Sequence, residues 1–141
     1  MIVDFYHLTA TPLERVLPSI CEKVLATGGR LVVVAGEEQL GQLDEQLWTY
    51  AKDAFLPHGR ERAESQPVLL STTTEAANGA RNVALADGVW REEALSFDRT
   101  FYFFDTGSLD AARAAWRALK GREGVESRYW KQVDGKWVQG P

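Results

Sequence analysis

One cysteine, one methionine and two histidines among 141 residues leave little material for disulfides, metal sites or imidazole chemistry. Cys21 has no second thiol to pair with, and with only His7 and His58 beside it no zinc-ligand spacing exists. No disulfide, metal or cofactor is expected, and the composition fits a reducing cytoplasm. No apolar stretch approaches the ~18 residues of a membrane span. The short apolar run Ile2-Val3 is followed by Asp4 and preceded by no basic segment, so neither a span nor an export signal is expected. Basic excess is also missing: 16 Lys+Arg against 20 Asp+Glu give a net charge of −4. That balance is poor equipment for holding a long phosphate track, so direct nucleic-acid binding would need a local basic patch. What remains is ordinary for a folded, water-soluble chain, 45% hydrophobic and 26% charged. The length suits one core, so a single domain over residues 1–141 is expected.

Along the chain, Ile2 to Leu8 alternates branched or aromatic residues with polar ones, a strand pattern. Thr11-Pro12-Leu13-Glu14 offers a hydroxyl cap, proline at the first helical position and glutamate beyond it, so a helix should begin there. Leu13, Val16, Leu17, Ile20, Val24 and Leu25 form one apolar stripe, and Gly28-Gly29 can end the helix. Pro18 requires either a kink or a start near that point. Leu31 to Val34 is a continuous apolar run of the kind central parallel strands show. A second helix follows over 37–50, then irregular chain through Phe55-Leu56-Pro57-His58-Gly59 and a polar surface loop over 60–66. Two buried strands are predicted over 67–71 and 82–86, and a third over 99–104. Ser108 can cap a last helix over 109–120, and Tyr129-Trp130 and Trp137 flank Asp134-Gly135 as in a hairpin. The alternation predicts an α/β, Rossmann-like three-layer fold with a mainly parallel sheet.

Such an order invites a nucleotide, but Thr9-Ala10-Thr11-Pro12 after the first strand lacks the glycines that admit a pyrophosphate. No phosphate loop or nucleophile elbow is present, and Asp44-Glu45 are neighbours on a helix, which do not face each other. His58 reads as a structural, hydrogen-bonded imidazole. The informative segment is the last helix. Arg113, Trp116, Arg117 and Lys120 share one stripe at spacings of three and four, with Ala111, Ala112, Ala115, Ala118 and Leu119 opposite as a sheet-facing arc. From Leu109 onward seven Lys/Arg face four Asp/Glu, whereas earlier residues carry nine against sixteen. The bland reading is a solvated helix face with the indole folded against a strand. The sharper one is a docking site for an anionic partner with an aromatic or aliphatic end, and the local charge favours a short acidic peptide.

These residues also carry a family resemblance. Leu43-Asp44-Glu45-Gln46-Leu47-Trp48 with Phe55-Leu56-Pro57-His58 resembles the most characteristic stretch of the chi subunit of bacterial DNA polymerase III holoenzyme. Asn82-Val83-Ala84-Leu85, Ala112-Arg113, Tyr129-Trp130-Lys131 and Gly135-Lys136-Trp137 add to it. The resemblance implies a Rossmann-like fold without a nucleotide site and a non-catalytic adaptor in the cytoplasmic replisome. One surface would bind the psi subunit of the clamp-loader complex. Another would bind the acidic C-terminal tail of single-stranded DNA-binding protein, leaving DNA contacted only indirectly. Carried over by position, the tail pocket is Phe55, Arg113, Trp116 and Arg117, where the family pattern has Tyr at Trp116 and Lys at Arg117. Trp90 and Trp137, each beside polar residues near a strand end, are the candidates for a psi-facing patch. Other readings are a nucleotide-dependent enzyme, a direct single-strand binder, and an adaptor serving DNA repair.

Overall fold

The computed structural model describes residues 1–49, 58–134 and 136–140. Its strands are β1 (Ile2–His7), β2 (Leu31–Val34), β3 (His58–Gly59), β4 (Val68–Ser71), β5 (Asn82–Leu85), β6 (Arg99–Phe104), β7 (Glu126–Val133) and β8 (Lys136–Gln139). Its helices are α1 (Leu13–Ala26), α2 (Glu37–Thr49) and α3 (Leu109–Leu119). The strands form one eight-stranded sheet in the order β3-β4-β2-β5-β6-β1-β7-β8, every neighbouring pair parallel except the β7–β8 hairpin. The predicted α/β, Rossmann-like, mainly parallel architecture is therefore the one observed.

Both faces of the sheet are covered, which is why β2 could be built from Leu31-Val32-Val33-Val34 with all four buried. Leu31 and Val33 join Tyr6, Phe101 and Phe103 in the core under α1 and α2. Val32 and Val34 join Phe5, Tyr102 and Phe104 in the core on the α3 side. Alternation along β1 thus sends Phe5 to one layer and Tyr6 to the other.

Helix α1 ends as Gly28-Gly29 suggests. Gly28 adopts φ +81°, its N–H donates to the Leu25 carbonyl at 3.0 Å and the Gly29 N–H to Val24 at 3.1 Å, closing the last turn. The start differs from expectation, since Pro12 is the capping residue and no side chain caps it. Pro18 lies buried inside the helix, at the cost of one intrahelical hydrogen bond rather than a new start.

Several predicted details change. His58 belongs not to a loop but to the two-residue edge strand β3, paired with Val68, too short for periodicity to reveal. The polar segment after it contains a 3-10 turn at Ala63–Ser65. Ser108 does not cap α3 with its hydroxyl, because it is engaged in a reciprocal box with Asp105 around the turn Thr106–Ser108. Ala111 and Ala118 are exposed; the sheet-facing residues of α3 are Ala112, Ala115 and Leu119, and 111 and 118 sit about 100° round the helix from that line.

Candidate functional site

Strands β6, β1 and β7 lie side by side, and their register sets Phe5 beside Tyr129 and His7 beside Phe104 on the α3 face. Helix α3 passes over this aromatic floor, and between them runs a groove of about 390 Å³ lined by Phe5, His7, Phe104, Leu109, Ala112, Arg113, Trp116, Arg117 and Tyr129. Three residues singled out from the sequence, Arg113, Trp116 and Arg117, thus come together. Trp116 does not project freely into solvent: its indole meets Phe5 edge-on with ring centres 5.1 Å apart and is partly buried. Arg113 and Arg117 are exposed at the rim. Phe55, the fourth predicted member, lies outside the described residues.

Four floor residues were missed by sequence reasoning. The signal for Phe5 and His7 was their shared parity on β1; Phe104 and Tyr129 become neighbours only through parallel pairing across long crossovers. His7 stacks on Phe104 with centres 4.8 Å apart and shares a 2.9 Å hydrogen bond between Nδ1 and the Tyr129 hydroxyl. Its buried Nε2 has no hydrogen-bond partner among the described residues. An apolar floor under two rim guanidiniums can take a flat or aliphatic group below and carboxylates above.

A larger crevice, about 640 Å³, opens at the C-terminal ends of β1, β5 and β6. The crossover after β1 goes to the α1 face and that after β6 to the α3 face, the switch point where nucleotide folds bind phosphate. Here, among the described residues, it is lined by Glu14, Asp87 and Asp105 and by no Lys or Arg. The loop amides of Thr9, Ala10 and Thr11 all donate to Gln132 Oε1, at 3.2, 2.9 and 3.1 Å. A carboxylate-lined crevice whose loop amides are already occupied is unsuited to a phosphate.

Among the described residues no group of three or more His, Cys, Asp and Glu is placed to hold a metal ion, and no helix is long and apolar enough to cross a membrane. His58 keeps the structural part expected of it: buried, it contacts the carbonyl and carboxylate of Asp44 through Nε2, at 3.2 and 3.1 Å, tying β3 to α2. Residues 1–126 match the family profile described as DNA polymerase III chi subunit, HolC. The chain belongs to the chi subunit family of DNA polymerase III. No curated protein matches it in sequence. Family membership makes the chain an accessory subunit in replication.

In this chi chain the matched span stops at the beginning of β7, yet Tyr129, Arg128, Trp130 and Gln132 from the following residues are built into the structure. Asp4, fully buried, receives hydrogen bonds from Arg128 Nε at 2.7 Å, Arg99 Nε at 2.9 Å and Trp130 Nε1 at 2.9 Å. Burial pushes the Asp4 carboxyl up, but the donors from Arg128, Trp130 and Arg99 together outweigh burial and hold it below its ordinary value. The two tryptophans offered for psi are both partly buried and lie on opposite faces. Trp90 packs against Phe5 and Tyr102 on the α3 side, and Trp137 packs edge-on against Tyr6 on the α1 side. They cannot share one patch.

Proposed function

We propose that this chi-family chain is a replisome adaptor that joins the clamp-loader complex, through psi, to the acidic C-terminal tail of single-stranded DNA-binding protein. The observation that supports the tail site is the groove itself, which gathers Arg113, Trp116 and Arg117 over Phe5, Phe104 and Tyr129. A terminal aromatic side chain would lie on the aromatic floor, and its carboxylate and the preceding acids would meet the two guanidiniums. Phe55 belongs to the same proposal by family resemblance. No part of this needs catalysis.

The test is calorimetric titration with a synthetic acidic peptide ending in phenylalanine. Arg113→Ala and Arg117→Ala should each weaken binding by about 1–3 kcal/mol and flatten its salt dependence. Trp116→Ala and Phe55→Ala should weaken it with less change in salt dependence. A scrambled peptide of equal charge without the terminal aromatic residue, binding equally well, would reduce the groove to a general basic surface. For psi, Trp90 is the candidate carried forward, because it adjoins Val89, which at 51% is more exposed than Val138 beside Trp137 at 41%. Val89→Glu should then abolish co-elution with psi while leaving peptide binding intact.

A further inference from the structure

On the other face of the sheet, between α1 and the β7–β8 hairpin, lies a second groove of about 490 Å³. Its lining among the described residues includes Arg15, Lys23 and Arg99, the aromatic rings of Tyr6, Trp130 and Trp137, and no Asp or Glu. In a chain of net charge −4 a cavity wall with three cations and no carboxylate is a local reversal of sign. Arg15, Ser19 and Lys23 fall at i, i+4 and i+8 on one flank of α1, so the two cations stand about 12 Å apart with a small hydroxyl between them. Both are exposed, and neither has an ion pair among the described residues. Arg99 already pairs with Asp4 and lies over Phe101, so it serves as wall. Trp130 stacks on Tyr6 at 12° and is anchored through Nε1 to Asp4, while Trp137 meets Tyr6 edge-on.

We propose that this groove binds a short stretch of single-stranded nucleic acid, with phosphates on Arg15 and Lys23 and a base against the indole of Trp137. Charge complementarity supplies the argument. Two unpaired cations in a row along one wall can track a repeating anionic backbone, and aromatic rings on the opposite wall offer stacking that every base can use. A glutamate-rich peptide without an aromatic side chain would satisfy the cations but leave the two-indole wall unused. The site is separate from the α3 groove and does not depend on the reading of that groove.

The experiment is fluorescence anisotropy with a labelled oligothymidine of about 12 nucleotides, a length in the range one small binding fold covers. The intact chain is titrated at ~50 and ~200 mM salt. Saturable, salt-sensitive binding is expected, with quenching of tryptophan emission that is smaller in Trp137→Phe. The exposed double change Arg15→Glu with Lys23→Glu should weaken binding at least about tenfold and reduce the log–log salt slope by about 1.4, two single-strand phosphate contacts being lost. Arg113→Glu with Arg117→Glu should leave binding unchanged. Absence of saturable binding at low salt would overturn the proposal. So would indifference to the α1 double change, equal loss from the α3 double change, or equal affinity for a glutamate-rich peptide of the same charge.

Discussion

Asp4 is an ionised group taken fully out of water, and its cost is met by three donors, two of them guanidiniums that remain partly exposed, 38% for Arg99 and 25% for Arg128. Asp4→Asn keeps the shape but strands both cations, and since water can still reach them the loss should fall at about 2–3 kcal/mol, below the usual range for a wholly buried pair. Urea unfolding of the variant measures it. The carboxyl's folded value is depressed, so its stabilisation is complete above the unfolded value of about 3.9 and fades as pH falls through the lower folded value. Wild type should therefore lose stability below about pH 4 more steeply than Asp4→Asn does. Cys21 shows the opposite effect of burial: its thiol, fully enclosed on the inner face of α1, is pushed up to about 12. A thiol reagent should label it only at the rate of global unfolding, giving a convenient probe for all these variants.

Turns with positive φ divide into those that need only conformational freedom and those that also need space. Gly28 at φ +81° has nothing within 4 Å of where a Cβ would stand, whereas at Gly88, φ +76°, a Cβ would meet Ser108 Oγ and Cβ at 2.7 Å. Gly28→Ala should cost about 1–2 kcal/mol of backbone strain alone. Gly88→Ala should cost more, because Ser108 is fixed by its box with Asp105 and cannot give way freely. Paired denaturation midpoints decide whether the ordering holds. The same distinction between local and non-local causes explains what could be read in advance. The stripe of α1, the double-glycine stop, the apolar run of β2 and the basic stripe of α3 are written in short spacings, and all were legible. β3 was not, because two residues carry no period and the pairing with Val68 is made by the sheet. The floor of the α3 groove was not legible either: His7, Phe104 and Tyr129 meet only because β1 is laid between β6 and β7 after long crossovers. An indole of Trp116 folded against a strand is one of the two readings the sequence leaves open, and the structure supplies what spacing cannot, the identity of its partner, Phe5 of β1.

The C-terminal hairpin carries the broadest consequence. It lies almost entirely beyond the family-matched span, yet without it β1 would become an edge strand with its buried Asp4 short of Arg128 and Trp130. Three loop amides before α1 would lose Gln132, the α3 groove would lose Tyr129, and the α1 groove would lose both indoles. These losses act on one strand at once and are not independent, so their sum should exceed what single changes suggest. Gln132→Ala alone should cost only about 1 kcal/mol, since the amides it leaves lie where water can replace it. A chain ended after Glu126 should instead lose its cooperative transition, exchange its β1 amides rapidly and expose Cys21 to reagent without denaturant. Retention of a sharp urea transition by that shortened chain would mean that the family-matched residues fold by themselves. The hairpin would then be an appended wall for the two grooves rather than part of what holds β1 in place.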